Sequence, residues 1–201
     1  MTALLSKIDR ALAHISDGWT TTEQAHSMAR FIVENRVSVS VEIGVFAGKG
    51  LVCMALAHRS IGHGRVIGID PWEATASVEG QPKEHKTWWG QLDHESVYQK
   101  CLAAIKEFDC TDYVTLIRER SQTCSVPTGI GLLRIDGNHG PASLVDVKRF
   151  APNVIVGGVL YLDDSTWPNG PLENGADEWL FDNGWEKVGD VETTLIFKRV
   201  A

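Results

Sequence analysis

Acidic side chains stand directly after several apolar segments of this chain of 201 residues, and a histidine lies beside one of them. The segment "LLRID" ends at Asp136, with His139 three residues further on, and "GGVLYL" is followed by Asp163 and Asp164. Asp70 ends a third apolar segment, "VIGID". Carboxylates accept hydrogen bonds and bind hard cations, whereas a histidine transfers protons near neutral pH. One such acid would more often cap the following helix, but the whole set favours a polar binding site.

A glycine-containing loop, "VEIGVFAGKG" at residues 41–50, adds a second candidate feature. Its pattern is Glu42-x-Gly44-x-x-x-Gly48, whereas a dinucleotide fingerprint has a central glycine that lets the backbone approach a pyrophosphate. Asp70 ends the next strand pattern, where an acid can accept hydrogen bonds from ribose hydroxyls. The loop and Asp70 together indicate a ligand that carries a ribose, and the missing glycine disfavours nicotinamide-dependent reduction.

Helical and strand patterns alternate along the chain and position these residues. Two amphipathic helices come first, and the second opens at Thr20 with Glu23 three residues on, which is a capping-box pattern. At Val37 the period of the apolar residues changes from helical to alternating. The predicted strands are residues 37–45, 65–70, 114–120, 130–136, 157–163, 185–191 and 194–200. The predicted helices between them are residues 48–58, 96–108, 142–150 and 176–181.

This alternation predicts an α/β fold with a Rossmann-like, doubly wound and mostly parallel sheet, closed by a C-terminal antiparallel hairpin. We predict one domain over residues 1–201, made of a helical extension at 1–36 and an α/β core at 37–201. A polar insert at residues 71–96 is long enough to serve as a lid. Ligands of open α/β sheets bind beyond the carboxyl ends of the strands, so the acidic residues should converge on one crevice.

The composition argues against several kinds of partner. The formal net charge is -7 and the chain has no run of Lys or Arg, which disfavours binding to nucleic acid or to an anionic membrane. The four cysteines have neither paired nor metal-ligand spacing, which fits thiols in a reducing compartment. The longest apolar run, residues 154–162, is too short to span a bilayer. We therefore predict a cytoplasmic protein that acts on a small molecule.

The order of these motifs resembles that of class I S-adenosylmethionine-dependent methyltransferases over roughly residues 37–200. It is most similar to the small bacterial group of metal-dependent sugar and natural-product O-methyltransferases and cephalosporin-hydroxylase-like proteins. The motifs that carry the resemblance are the Glu42 loop, Asp70, "IDGNH" and "GGVLYLDD". One departure is Pro141, which stands where the group has an aromatic residue.

The resemblance implies a cofactor site for S-adenosylmethionine. Glu42 would anchor the methionine end of the cofactor or the hydrogen-bond network around it, and Gly44 would allow the close approach of the cofactor. Asp70 would hold the ribose hydroxyls, and Ser121 would lie near the adenine unless it is simply a solvated loop serine. The further residues assigned to this site are Gly48, Trp72 and Asp136.

The same resemblance implies a metal and a catalytic base. Asp136, Asp163 and Asp164 supply the hard oxygen ligands that suit Mg²⁺, and the ion would relieve their mutual repulsion. The alternative is that Asp136 belongs only to the cofactor site and Asp164 only caps a turn. His139 would take the proton of the acceptor hydroxyl, or else merely hydrogen-bond within its loop.

We therefore expect a Mg²⁺-dependent O-methyltransferase that acts on a hydroxyl group of a small natural product or sugar. The alternative is a non-catalytic or hydroxylase-like member of the same fold that serves as an accessory protein in biosynthesis. Three tryptophans of the insert, Trp72, Trp88 and Trp89, either stack on adenine or a flat acceptor, or pack the insert down and contribute to a homodimer.

Overall fold

Seven strands form one sheet in the computed structural model, which describes residues 1–79, 83–138, 140–168 and 170–201. The strands are β1 (Val39–Ile43), β2 (Arg65–Ile69), β3 (Val114–Ile117), β4 (Ile130–Ile135), β5 (Val154–Leu162), β6 (Trp185–Val191) and β7 (Thr194–Arg199). Their order is β3-β2-β1-β4-β5-β7-β6. Neighbouring strands are parallel from β3 to β5, and the pairs β5–β7 and β7–β6 are antiparallel. The predicted α/β fold with a mostly parallel sheet is confirmed.

Helices cover both faces of this sheet. Within the described residues they are α1 (Thr2–His14), α2 (Thr22–Glu34), α3 (Lys49–Ile61), α4 (Ala74–Val78), α5 (Lys83–Gln91), α6 (His94–Glu107), α7 (Ala142–Phe150) and α8 (Ala176–Asp182). The bounds of α7 and β6 agree with those predicted from the apolar patterns. No helix among the described residues is both long and apolar enough to cross a membrane.

The second helix begins one residue later than the sequence pattern predicts. Thr21, not Thr20, is the N-cap: its side chain accepts a hydrogen bond from the backbone of Gln24, and the Gln24 side chain accepts one from the Thr21 backbone. The Thr20 hydroxyl instead accepts a hydrogen bond from Arg134 Nη1 at 2.9 Å. A buried tertiary contact therefore uses the residue that the local pattern assigned to the cap.

Side chains of the central strands alternate between two apolar clusters, one on each face of the sheet. On β4, Leu132 packs with residues of α1, α2 and α3, whereas Leu133 packs with residues of α7 and α8. Glu42 and Arg134 are partners in the register of β1 and β4. Both side chains approach Gly50 at the start of α3, so they lie on the face that α3 covers.

The insert at residues 71–96 contains helices α4 and α5 and the start of α6. Helix α6 begins at His94, two residues before the predicted start, because the Asp93 side chain accepts a hydrogen bond from the Ser96 backbone and caps it. Residues 80–82 of the insert lie outside the described part of the chain. Its role as a lid stays a prediction.

Candidate active site

A cavity of about 1130 Å³ lies at the carboxyl ends of the parallel strands. The sequence-predicted residues that line it are Glu42, Gly44, Asp70, Trp72, Ser121, Asp136, Asp163 and Asp164. Gly48 is described but does not line the cavity. His139, the predicted base, lies outside the described residues. The structure therefore brings together the acidic residues from the ends of four strands.

A buried ion pair between Glu42 and Arg134 forms the floor of the cavity. Arg134 Nη1 lies 2.7 Å from Glu42 Oε1, and the two side chains are 2% and 1% exposed. Glu42 Oε2 is buried and has no hydrogen-bond partner among the described residues. Burial raises the pKa of Glu42 to about 7, although the Arg134 guanidinium acts to lower it. The floor thus presents a carboxylate oxygen with unused acceptor capacity.

Arg134 also binds the two acids that were predicted to share a metal. Its Nη2 lies 2.8 Å from Asp136 Oδ2 and 2.8 Å from Asp163 Oδ2. Asp163 Oδ1 accepts further hydrogen bonds from Gln24 Nε2 and from the Thr194 hydroxyl. Burial acts to raise the pKa of Asp163, but Arg134 and Thr194 outweigh it and hold this pKa below its usual value. Asp163 is therefore an ionised group with a full set of protein partners.

These contacts do not fit the predicted Mg²⁺ site. Asp136 and Asp163 already have a counter-charge, and Asp164 contributes a backbone N–H to Asp163 Oδ1 at 3.0 Å. In the described part of the chain, no group of His, Cys, Asp and Glu is arranged to hold a metal ion. The repulsion between the carboxylates was predicted from the sequence, but Arg134, the cation that lies among them, was not. The sequence feature that could have indicated this role of Arg134 is its position as a charged residue within the apolar strand pattern "LLRID".

Asp70 holds the glycine-containing loop in shape. Its Oδ2 accepts hydrogen bonds from the backbone N–H groups of Val45 and Phe46, both at 3.0 Å, and its Oδ1 accepts one from Trp72 N at 2.7 Å. Burial raises the pKa of Asp70, and these backbone donors oppose the rise. A carboxylate has about four lone-pair sites, so about one remains for a ligand hydroxyl.

Gly44 lets this loop approach the end of β4. Its φ angle is 86°, and a Cβ atom added there would overlap the backbone carbonyl of Asp136. Gly48 serves a different contact: it has a φ angle of 87°, and an added Cβ would lie 2.9 Å from Cys101 Sγ in α6. Gly48 therefore shapes the turn and the helix packing, and its contact with the cofactor stays a prediction.

Trp72 supports the loop from the protein side. Its side chain is buried, its ring centroid lies 4.7 Å from that of Tyr98, and its indole N–H donates to the Phe46 carbonyl at 2.9 Å. The indole donor is therefore already used, and only the ring remains for contact with a ligand.

A buried acid that was not predicted from the sequence, Asp146, lies on α7 at the cavity wall. It is 2% exposed, and its Oδ1 has no hydrogen-bond partner among the described residues. Burial raises the pKa of Asp146 to about 6, against a hydrogen bond from Ser121 and the charge of Arg149, which lower it. The sequence signal was an acid between two valines on the apolar side of an amphipathic helix.

Aromatic side chains from two parts of the chain meet at the mouth of the cavity. Trp88 and Trp89 of the insert pack edge to face with ring centroids 4.8 Å apart, and Trp19 from the helical extension lies 5.8 Å from Trp88. Phe46 of the glycine-containing loop joins them, 5.4 Å from Trp19. The 66% exposed Trp19 was not predicted as part of the site. The mouth therefore has a broad apolar wall, suited to a flat ligand.

Comparisons with known proteins agree with this geometry. Residues 41–165, more than half of the chain, match a family model described as a methyltransferase domain. No curated protein sequence matches significantly. The structure of the O-methyltransferase NovP is similar, with a TM-score of 0.69 and 18% identity over 90% of this chain and 81% of NovP.

Two further solved structures share the fold. The O-methyltransferase TomG from Streptomyces achromogenes, in complex with S-adenosylmethionine, has a TM-score of 0.63 and 15% identity over 98% of this chain and 90% of TomG. The methyltransferase PaMTH1 from Podospora anserina, bound to S-adenosylhomocysteine, has a TM-score of 0.67 and 13% identity over 99% of this chain and 88% of its own. Identities this low establish the shared fold only.

Proposed function

Because the chain belongs to this methyltransferase-domain family, we propose that it is an S-adenosylmethionine-dependent O-methyltransferase acting on a hydroxyl group of a small natural product or sugar. The observation that carries the proposal is the environment of one carboxylate oxygen of Glu42. Its Oε2 is buried at the cavity floor and lacks a partner among the described residues. A buried acceptor without a donor is costly, and the α-ammonium group of a methionine moiety would satisfy it.

The residues along the cavity fit the other parts of this cofactor. Gly44 leaves the backbone open above β1, and Asp70 Oδ1 retains acceptor capacity for a ribose hydroxyl. The acids around Arg134 outnumber its single positive charge, which favours a ligand that carries a sulfonium and an ammonium group. When bound, S-adenosylmethionine supplies the electrophilic methyl group.

The acceptor would enter through the aromatic mouth formed by Trp19, Trp88 and Trp89. A hydroxyl that attacks a methyl group must lose its proton, and we assign that proton to His139, which follows β4 in the chain. TomG is described as involved in tomaymycin synthesis, which supports a natural-product acceptor for a chain with the same fold. The proposal contains no Mg²⁺ step, since Asp136 and Asp163 already share an ion pair with Arg134.

Calorimetric titration with S-adenosylhomocysteine tests the cofactor assignment. Wild-type protein should bind it, and Glu42→Gln should weaken binding by about 1–3 kcal/mol, because the amide loses the charged contact to the ammonium group. Glu34→Gln, at an exposed position of α2, is the matched control and should bind like wild type. Failure of the wild type to bind this ligand, or equal affinity in Glu42→Gln, would contradict the proposal.

A further inference from the structure

We propose that helix α4 and its flanking acids form a strap across the cavity and that Arg120 holds this strap shut, so that breaking the contact speeds both the entry and the release of the cofactor. The strap is residues 73–79, from Glu73 to Glu79. This inference rests on the proposed function, because it requires S-adenosylmethionine or its product in the cavity. It assigns to Arg120 the control of the exchange of that ligand.

The strap crosses the carboxyl end of β1, above the cavity floor. It begins directly after Trp72, which follows β2, and it ends at Glu79, whose backbone carbonyl accepts a hydrogen bond from the Asn138 side chain in the loop after β4. In the sheet, β1 lies between β2 and β4. A segment that runs from the end of β2 to the loop after β4 therefore passes over the end of β1. Ala76 and Ser77 of the strap line the cavity.

The strap has no buried side chain. All its residues are exposed or half-buried, whereas Trp72 just before it is 3% exposed and packs against Tyr98. Segments with few buried apolar contacts open locally at a low cost in free energy. The strap is therefore a part of the cavity wall that opens readily, and Trp72 is its fixed end.

Arg120, in the loop after β3, binds the strap at three points. Its Nη1 lies 2.8 Å from Glu79 Oε2, and its Nη2 donates to the Thr75 hydroxyl at 3.3 Å. Its Nε lies 3.7 Å from Glu73 Oε2. The loop that carries Arg120 is itself fixed to α7, because Arg149 donates to two of its backbone carbonyls. Arg120 is therefore a latch between a segment without buried side chains and an anchored loop.

The strength of this latch suits a gate that opens during each exchange of ligand. The side chains of Arg120 and Glu79 are 36% and 67% exposed, so salt screens their attraction. Exposed ion pairs contribute little free energy, and the loss of this one should raise the population of the open strap about two- to fivefold. Because the strap lies across the passage, that population governs movement of ligand in both directions.

Stopped-flow tryptophan fluorescence with S-adenosylhomocysteine tests the latch. In Arg120→Gln the association and dissociation rate constants should both rise about two- to fivefold, while the dissociation constant stays near the wild-type value. Glu79→Gln should also raise both rates, and it should add nothing further in the Arg120→Gln background, because the contact is already broken there. Glu95→Gln is the matched control: it breaks the exposed ion pair with Arg118, which also follows β3, and both rates should keep their wild-type values.

The dependence on salt gives a second readout that a merely structural role of Arg120 would not change. S-adenosylhomocysteine is a zwitterion without net charge at neutral pH, so salt acts mainly on the protein. Raising NaCl from about 0.05 M to about 0.5 M should speed exchange in the wild type and in Glu95→Gln, but not in Arg120→Gln. Thermal unfolding of each variant verifies that it is folded.

The measured rates distinguish the latch from the other roles of Arg120. Faster release in Arg120→Gln with an unchanged association rate would make Arg120 a direct contact of the ligand. Unchanged rates in both Arg120→Gln and Glu79→Gln would show that the strap does not limit exchange, and additive effects of the two changes would show that they do not act through one contact. Each of these results overturns the inference and leaves the cofactor assignment intact. Failure of the wild type to bind S-adenosylhomocysteine would overturn the proposed function together with this inference.

Discussion

Glu42 and Arg134 stand opposite each other on adjacent parallel strands, and their side chains meet at 2.7 Å beneath the cavity. The same guanidinium reaches Asp136 and Asp163, so one cation serves three carboxylates. Thr20 Oγ1 also accepts from Arg134, which ties the helical extension to the ends of the strands. Arg134 is therefore the central residue of the polar floor.

Replacing Arg134 by methionine should destabilise the protein strongly. The change keeps most of the side-chain volume but leaves three carboxylates close together without a cation, so we expect a loss of about 3–5 kcal/mol in the free energy of unfolding. Urea denaturation measures it. The control is Arg118→Met, which removes an exposed ion pair with Glu95 and should cost at most about 1 kcal/mol. A similar small cost for both variants would show that Arg134 is not needed as a counter-charge.

The affinity for S-adenosylhomocysteine should rise as the pH rises through about 7. Burial raises the pKa of Glu42 to about 7, and only its ionised form pairs with the ligand's ammonium group. The rise near pH 7 should be lost in Glu42→Gln and should persist in His94→Gln, which changes another residue that lines the cavity. Calorimetry over a range of pH provides the measurement, and a slope carried by His94 instead would refute the assignment.

The same pKa has a consequence for the stability of the ligand-free protein. Between the ordinary value of 4.5 and about 7, the folded state holds a proton on Glu42 that the unfolded state has released. The contribution of Glu42 to the free energy of unfolding is therefore present below this window and is lost as the pH rises through it. Urea denaturation at several pH values should show a steeper decline for the wild type than for Glu42→Gln.

Methyl transfer should not depend on Mg²⁺ bound by Asp163. All the described contacts of this carboxylate are hydrogen bonds and an ion pair, and they hold it ionised. With a competent acceptor, the activity should be equal in excess EDTA and in added Mg²⁺. Full loss of activity in EDTA, together with a weaker apparent Mg²⁺ affinity in Asp163→Asn, would restore the predicted metal site.

His139→Ala should lower kcat by about 10²–10⁴-fold, the usual contribution of a general base. The affinity for S-adenosylhomocysteine should stay near the wild-type value, because the histidine is assigned to the acceptor and not to the cofactor. Steady-state kinetics measures kcat, and calorimetry measures the affinity for S-adenosylhomocysteine. An unchanged kcat would mean that His139 is not the general base and only hydrogen-bonds within its loop.

The sequence predicts much of the fold because its signals are local. Helix α7 has an uninterrupted amphipathic pattern, and its predicted and observed bounds agree. Strand β3 was predicted to extend to Arg120 but ends at Ile117, since its neighbour β2 pairs with it only as far as Ile69. A strand requires a neighbouring strand to pair with, and its own residues do not determine how far that neighbour extends.

The candidate site was predicted only in part, for a similar reason. The acids at the strand ends could be found from the alternation of elements, because parallel strands bring their carboxyl ends to one edge. The role of Arg134 depends on the register between β1 and β4, which brings it opposite Glu42 across 92 positions of the chain. The free acceptor on Asp146 likewise depends on tertiary packing, since it concerns which atoms lack a neighbour.

The three backbone hydrogen bonds to Asp70 have a consequence for the kinetics of association. The loop that would contact the cofactor is already shaped in the ligand-free protein, with Val45, Phe46 and Trp72 fixed on one carboxylate. Little conformational entropy of that loop is then left to lose on binding, so the encounter resembles docking to a rigid surface. Any conformational step of ligand entry would lie elsewhere, at α4 or at the aromatic mouth, where the exposed side chains of Trp19 and Trp88 lie 5.8 Å apart.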